Sequence, residues 1–211
     1  MLFRSSSSFI PHLSWREIVL FDQPARIFRV SFSGELGFEI YVRWEDGGRL
    51  WDIIQEAGAT PYGTEAMHVL RAEMGFIVIG HETDGTVTPL DLGMDWILSN
   101  SKSDFVGQRA LKRPALAASG RKQLVGLLPV DPSVVLDEGA QIIEISNPHP
   151  PQPMIGHVTS SYWSDKLSSG FAMALIKDGR SRQGEHLFAW SLGKKYEVKV
   201  TSPAFFDVNR D

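Results

Sequence analysis

The C-terminal part of the chain most strongly constrains the fold, because short apolar runs alternate there with turn residues. From residue 121 onward the sequence contains the strand-like segments AQIIEI, MIGHVTSSYW, FAMALIK, GEHLFAW and YEVKVTS, separated by Gly, Pro, Asn, Asp and Ser. Several short strands with turn signals between them are typical of an all-β sandwich or barrel. Residues 121–205 are therefore predicted to form a barrel or a sandwich.

A β-hairpin is predicted in the N-terminal half. In ARIFRVSF the apolar Phe28, Val30 and Phe32 alternate with polar residues, and FEIYV alternates in the same way. The segment SGELG between them supplies two glycines for a turn. Period-2 alternation on both sides of such a turn indicates two paired antiparallel strands.

Two helices follow the hairpin. EDGGRLWDIIQEAG places apolar residues at helical intervals, and Gly58 ends the pattern. GTEAMHVLRAEMG predicts a second helix with Thr64 as its N-cap and Gly75 as its C-cap. The next segment, FIVIG, predicts a short buried strand. Residues 81–98 then predict a long irregular loop, a kind of segment that is often functional.

Composition excludes several classes of function. The chain of 211 residues is 43% hydrophobic, which supplies a core for one large or two small globular domains. The net charge of -4 and the lack of a Lys/Arg block argue against a nucleic-acid partner, and no apolar run approaches the roughly 20 residues that span a bilayer. Cys is absent, and the six His residues lack metal-ligand spacing. We expect a cytoplasmic protein without disulfides, a Cys nucleophile or a metal site.

Two carboxylates of the hairpin have different predicted environments. Glu35 lies in the turn, where a solvated carboxylate is ordinary, whereas Glu39 lies within a strand, where Glu is a poor β-former. The side chain of Glu39 faces away from the apolar row, toward solvent or a polar cavity. Glu39 is therefore the residue of the pair whose presence needs an explanation.

Other charged residues have structural explanations that compete with functional ones. His81 and Asp84 could pair in the long loop, but a turn-forming Asp beside an exposed His is favoured. Arg71 and Glu73 are two positions apart on a helix and do not face each other, so each is expected to make a surface or interface salt bridge. None of these residues identifies a catalytic constellation.

Several sequence blocks resemble, in order and spacing, the aminomethyltransferase family, which comprises the glycine-cleavage T-protein and its relatives. The blocks are RVSFSGELGFEIYV, YGTEAMHVLRAEMG, GHETDGTVTPLDLGMDWIL, DFVGQRAL and GHVTSSYWS. The resemblance implies an α+β fold in which a partial folate-binding domain precedes a C-terminal antiparallel β barrel. The implied divisions are a flexible segment, the second half of the folate-binding domain, a connector and the barrel: residues 1–14, 15–100, 101–120 and 121–211.

The resemblance also implies which residues bind tetrahydrofolate. In the family a Glu of the strand motif GExGxE hydrogen-bonds the pterin ring, and Glu39 occupies that position, while Glu35 shapes or decorates the turn. A carboxylate suits this role because it accepts two adjacent N–H bonds. Trp96 matches the family Trp that follows TP and could pack on the aromatic body of folate, with an ordinary core residue as the alternative.

Two departures limit what is transferred from the family. In the family motif RxxLRxExG the first Arg, which in T-proteins can contact the folate tail, is Met67 here, and only the second Arg is kept, as Arg71. The chain thus departs from the pattern for tail binding of the T-protein kind. The Asp that is essential for transfer lies in an earlier half of the family module, which this chain lacks, so no catalytic residue is assigned. We expect a C-terminal fragment or truncated gene product that is inactive alone.

Within the family, GTEAMHVLRAEMG and TDGTVTPLDLGMDWILSNSKSDFVGQRAL are most similar to the C-terminal end of the α subunit of heterotetrameric sarcosine oxidase. This implies a portion that binds tetrahydrofolate and supports one-carbon transfer to it from an oxidised N-methyl amine, sarcosine. FAD, FMN and NAD would be bound only in the full assembly, with a flavin-containing β subunit and other subunits. The isolated chain is expected to cover exposed apolar surface by forming a homo-oligomer.

Two alternatives to this function stay open. One is a stand-alone aminomethyltransferase-like folate binder with a different substrate. The other is a non-catalytic assembly module with the same fold.

Overall fold

The computed structural model describes residues 10–144 and 151–206, which fall into two compact units. The first unit extends to Arg71 and the second runs from Ala72 to Phe206. Most of the predicted flexible segment, residues 1–14, lies outside the described residues. The predicted fold class, α+β with a C-terminal antiparallel barrel, is confirmed.

The first unit contains a three-stranded antiparallel sheet with β2 in the centre. Its strands are β1 (Trp15–Leu20), β2 (Gln23–Phe28) and β3 (Glu39–Tyr41). A 3-10 turn then leads into α1 (Gly47–Glu56), and α2 (Thr64–Glu73) follows and ends in the second unit. Both predicted helices and the predicted pairing of two strands are confirmed. Thr64 is the first helical residue rather than the N-cap.

The buried face of the hairpin differs from the prediction. β2 buries Ala25 and Ile27, and the strand ends at Phe28, so Phe28, Val30 and Phe32 do not form the inner row. The physical reason is β1, which the sequence analysis did not identify. Trp15 of β1 lies opposite Phe28, and the two rings stack at 5.9 Å on the outer face of the sheet.

The segment FIVIG is not the predicted buried strand. Phe76 and Ile79 are exposed, and only an isolated bridge joins Ile79 to Thr83. The backbone N–H of Val78 donates to the carboxylate of Glu82 at 2.8 Å, which ties the segment into a turn. A strand needs a neighbour that satisfies its backbone groups, and a local side chain takes that role here.

The connector contains two short helices where one was predicted. α3 (Gln108–Leu111) and α4 (Pro114–Ala117) are separated at Arg113, whose backbone is extended. Pro114 occupies the start of α4, where its missing N–H costs no intrahelical hydrogen bond. The proline therefore ends one helix and begins the next.

Six strands of the second unit close into a barrel, which decides between the barrel and the sandwich. All neighbours are antiparallel, in the order β4-β7-β6-β5-β8-β9. The strands are β4 (Lys122–Pro129), β5 (Gln141–Ile143), β6 (Gly156–Ser164), β7 (Ser169–Lys177), β8 (His186–Ser191) and β9 (Lys194–Thr201). Alternate residues point inward. They form one apolar core that includes Val125, Leu127, Ile142, Val158, Ala174, Ile176, Leu187, Ala189, Val198 and Val200.

Candidate functional site

Glu39 begins β3 and presents its carboxylate to solvent, as the sequence predicted. The phenol of Tyr41, two residues further along the same face, donates to Glu39 Oε2 at 2.8 Å. Among the described residues no second side chain bonds the Glu39 carboxylate. The side chain is therefore held at one oxygen while the other oxygen can accept bonds from a ligand.

A row of aromatic rings lies on the same sheet face as Glu39. Strand register places Phe28 opposite both Trp15 and Glu39. The Phe28 and Tyr41 rings meet edge to face at 5.0 Å, and the Arg26 guanidinium lies 5.4 Å from the Trp15 ring centre. This face thus combines partly exposed aromatic surface with a carboxylate, which suits a flat heterocycle that carries N–H donors.

Glu35 lies in the loop that precedes β3, outside the paired strands. Glu35 is exposed, in a loop of bends between β2 and β3, which is the predicted solvated environment. A Cβ atom at Gly37 would lie 2.7 Å from the carbonyl oxygen of Val30, closer than real Cβ contacts come. Glycine is therefore required at this point for the loop to fold back toward β3.

Trp96 is exposed rather than buried. It lies in the 3-10 turn Asp95–Ile97 of the second unit, and 76% of its surface is exposed. Backbone bonds from Met94 to Pro89 and from Ile97 to Met94 hold the turn. The alternative that Trp96 is an ordinary core residue is therefore wrong for this structure, and its indole is available for stacking.

Arg71 and Glu73 are both buried, so neither makes the surface form of the predicted salt bridge. Arg71, at the end of the first unit, is completely buried. Glu73, in the second unit, accepts a 2.5 Å bond from the hydroxyl of Ser164 in β6. Glu39 and Arg71 belong to the first unit and Trp96 to the second.

Asp91 and Arg121 form a polar junction that sequence reasoning missed. Arg121 Nε donates to Asp91 Oδ1 at 2.8 Å, and Nη2 donates to Oδ2. The N–H and hydroxyl of Thr88 both donate to Oδ2 at 2.8 Å. Burial alone would raise the pKa of Asp91, but the bonds from Arg121 and Thr88 outweigh burial and place its pKa below the ordinary value.

A second missed carboxylate, Glu82, is fully buried against β6. It accepts bonds from the Ser160 hydroxyl at 2.5 Å and the Thr159 hydroxyl at 3.1 Å, where β6 has a register irregularity. The buried polar triplet Thr-Ser-Ser in β6 is the sequence signal that could have indicated such a partner. These bonds join the loop after α2 to the barrel.

Asp84 forms a turn, as predicted, instead of pairing with His81. Its Oδ1 accepts the N–H and the hydroxyl of Thr86, each at 2.7 Å. The ring of His81 lies 3.9 Å from the carboxylate of Glu138. The turn-forming role of Asp84 is thereby confirmed.

Within residues 10–144 and 151–206, no group of three or more His, Asp or Glu side chains is placed to hold a metal ion. In the same ranges, no helix has the length and apolar character needed to cross a lipid bilayer.

An α+β unit followed by a closed antiparallel barrel is the two-part architecture of an aminomethyltransferase. Sequence profiles agree with this class: the GCVT N-terminal domain matches residues 2–102, and the glycine cleavage T-protein C-terminal barrel domain matches residues 122–207. The chain belongs to the glycine cleavage T-protein (aminomethyltransferase) family.

Individual relatives fall into two groups. The chain is 49% identical over 189 residues to the sarcosine oxidase subunit alpha of a Corynebacterium species, and 38% identical over 210 residues to that of Rhizobium meliloti. It is 31% identical over 200 residues to an aminomethyltransferase of Clostridium botulinum. These alignments cover 87%, 96% and 88% of this chain.

The fold is similar to a solved structure of the same family. The glycine cleavage system aminomethyltransferase T of Bartonella henselae matches with a TM-score of 0.74 and 25% identity, over 86% of this chain and 50% of that one. The chain spans 19% and 21% of the two sarcosine oxidase subunits and 52% of the Clostridium enzyme. It is therefore comparable with only a part of each relative.

Proposed function

We propose that this chain is the tetrahydrofolate-binding portion of a sarcosine oxidase α-type subunit. In that role it supports transfer of a one-carbon unit from an oxidised N-methyl amine, sarcosine, to tetrahydrofolate. The observation that carries the proposal is the exposed Glu39 carboxylate, held by Tyr41 beside an aromatic row. The 49% identity to a subunit of that name favours this member of the family.

Glu39 has the chemistry that the pterin ring requires. The amino-pyrimidinone edge of a pterin offers two N–H groups side by side, and a carboxylate accepts such a pair with two oxygens. The bond from Tyr41 leaves lone pairs on both oxygens of Glu39 and restricts the rotation of the carboxylate. The residues present thus fit the heterocycle, which would accept the one-carbon unit when bound.

Trp96 and Arg71 complete the proposed folate contacts, each argued from its own unit alone. The exposed indole of Trp96 offers a flat apolar face for the aromatic body of folate. Arg71 remains a proposed folate contact because it matches an Arg of the family's helix motif. Its complete burial makes support of helix α2 the alternative role.

The rest of the reaction is proposed to depend on the full assembly. We assign no catalytic residue to this chain, and FAD, FMN and NAD would belong to other parts of the enzyme. A flavin-containing β subunit is the expected partner, because the most similar relatives quoted above are named as subunits. Self-association of the isolated chain is a further expectation.

Two other functions are weighed against this one. A stand-alone aminomethyltransferase-like folate binder is disfavoured by the lower identity, 31%, to an enzyme of that name. A non-catalytic assembly module is disfavoured by the solvent-facing Glu39 and Trp96, which a module without a ligand would not need.

Calorimetric titration of the purified chain with tetrahydrofolate under anaerobic conditions tests the proposal. We expect one site with a Kd of about 1 to 100 μM, equivalent to roughly 5 to 8 kcal/mol of binding free energy. A chain that gives no heat with tetrahydrofolate up to about 1 mM would contradict the proposal and favour the assembly module.

A further inference from the structure

A cavity in the barrel unit is lined by residues other than those assigned to folate. It measures roughly 250 Å³, is open to solvent, and lies between the loop 84–91 and the barrel. On the barrel side it is lined by Lys122, His157 and Leu175. Since the neighbours of Leu175 in β7 belong to the core, Leu175 faces the outside of the barrel. The loop therefore covers a patch of the outer barrel wall.

Several hydrogen bonds fix the loop that forms one side of the cavity to the barrel. Arg121 binds both oxygens of Asp91 and also donates to the carbonyl of Thr86 at 2.7 Å. The backbone N–H of Leu124 in β4 donates to the carbonyl of Asp91 at 2.9 Å. The charges of Arg121 and Asp91 neutralise each other, so neither is available to attract a charged ligand.

The barrel wall of the cavity presents a cation. Lys122 Nζ lies 3.5 Å from His157 Nδ1. Burial, together with the neighbouring ammonium of Lys122, lowers the pKa of His157, although the carboxylate of Asp84 partly opposes this. The imidazole is thus neutral near pH 7. Because an ammonium only donates, Nδ1 accepts and Nε2 carries the proton as a second donor.

The loop wall presents an anion. Asp84 is exposed, and hydrogen bonds from Thr86 hold its carboxylate and lower its pKa. Val87 from the loop and Leu175 from the barrel add apolar surface to the cavity. An acid on one wall thus faces an ammonium and an imidazole on the other, with apolar side chains beside them.

We propose that this cavity binds a small zwitterionic amino acid. The carboxylate of the ligand would accept bonds from Lys122 and His157 Nε2, and its ammonium would donate to Asp84. The charges of the cavity disfavour a simple anion as the ligand, because the carboxylate of Asp84 offsets the ammonium of Lys122 and leaves the cavity without net charge. The volume admits a ligand the size of alanine, whose methyl group would contact Val87 and Leu175. This cavity shares no lining residue with the proposed folate site.

Titration of the whole chain with L-alanine, followed by calorimetry and by the imidazole NMR signals of His157, tests the proposal. Propionate lacks the ammonium and ethylamine lacks the carboxylate, so they are matched controls. We expect L-alanine to bind with a Kd below about 1 mM and about tenfold more tightly than either control. Equal binding of propionate would indicate a plain anion site and overturn the proposal. Absence of heat and of His157 shifts at about 10 mM would also overturn it.

Two variants locate the binding on the two walls. Asp84→Asn keeps an acceptor for the Thr86 turn but removes the charge, and Lys122→Met keeps the apolar stem. Each is expected to weaken L-alanine binding about tenfold. Lys199→Met, on the exposed side of β9, is the control and should bind normally. Circular dichroism establishes that the variants are folded, and normal L-alanine affinity in both folded wall variants would contradict the proposal.

Discussion

Tyr41 donates a 2.8 Å hydrogen bond to Glu39 across one face of β3. The two residues are two positions apart, so both side chains project from the same side of the strand. The bond to Glu39, together with the nearby negative charge, raises the pKa of the Tyr41 phenol above its ordinary value. Tyr41 is thereby proposed as the residue that positions the folate-binding carboxylate.

Tyr41→Phe removes the hydroxyl and leaves the ring in contact with Phe28. We expect tetrahydrofolate affinity to fall by about two- to fivefold, because the carboxylate loses one restraint but keeps its charge. Tyr62→Phe, at another exposed tyrosine, should have no effect and serves as the control.

In an absorbance titration the Tyr41 phenol should ionise above pH of about 10, and Glu39→Gln should lower its midpoint. A midpoint unchanged by Glu39→Gln would contradict the bond in solution.

Trp96→Ala separates the binding role of Trp96 from a packing role. Because the side chain is 76% exposed, its removal should change the free energy of unfolding by less than about 0.5 kcal/mol. Loss of the stacking surface should weaken tetrahydrofolate binding by about 1 to 2 kcal/mol, measured by calorimetry. Trp44→Ala, at a 90% exposed indole, is the control and should retain full affinity. Strong destabilisation with unchanged affinity would assign Trp96 to packing.

Asp91→Asn tests the junction between the loop and the barrel. The Asp91 side chain is 5% exposed and that of Arg121 is 23% exposed, so breaking the pair leaves a partly buried guanidinium without its counter-charge. We expect the free energy of unfolding in urea to fall by about 2 to 3 kcal/mol. Glu185→Gln, which removes an exposed partner of Arg182, should cost less than about 0.5 kcal/mol.

The effect of Asp91→Asn also has a pH dependence with a defined sign. The pKa of Asp91 is lowered on folding, so its stabilising contribution is present above the unfolded value of about 3.9. The contribution is lost as the pH falls through the lower, folded value. The difference in stability between wild type and Asp91→Asn should therefore narrow below pH of about 4. A constant difference would show that charge is not what Asp91 contributes.

His157 provides a pH test in the barrel unit. Its pKa is lowered by burial and by Lys122, and is raised again in part by Asp84. The imidazole should titrate by NMR with a midpoint below about 6.5; Lys122→Met should raise that midpoint and Asp84→Asn should lower it further. Because the pKa of His157 is lower in the folded chain, the unfolded chain binds more protons than the folded chain as the pH falls below about 6.5. The stability that neutral His157 contributes is lost over that range. A lower midpoint in Lys122→Met, or a higher midpoint in Asp84→Asn, would refute the geometry.

The strands of the barrel could be predicted from sequence because they carry the pattern of their own packing, whereas that pattern left a barrel and a sandwich both open. In β9, Tyr196, Val198 and Val200 face the core and alternate with charged residues, a period-2 signal that needs no knowledge of the partner strand. The outward direction of Glu39 followed from the same rule applied to one strand. Local periodicity was sufficient in both cases.

The features that escaped prediction depend on distant partners. β1 exposes Trp15 and Val19 and buries no complete face, so its segment has no alternation to detect. Glu82 meets Thr159 and Ser160 across 77 and 78 positions of sequence, and nothing local distinguishes it from a solvated carboxylate. FIVIG is apolar enough for a strand, but the carboxylate of Glu82 takes the N–H of Val78 that a neighbouring strand would have used. Tertiary contacts decided these segments.

The central claim, that Glu39 binds the pterin edge, is tested most directly by calorimetric titration of Glu39→Gln and Glu35→Gln with tetrahydrofolate. Glu39→Gln keeps the size of the side chain but replaces one acceptor by a donor and removes the charge. We predict that its affinity falls by roughly 1.5 to 3 kcal/mol, or about one to two decades in Kd. Glu35→Gln, in a solvated turn, should change the affinity by less than about 0.5 kcal/mol. Equal losses in the two variants, or a larger loss for Glu35→Gln, would contradict the account.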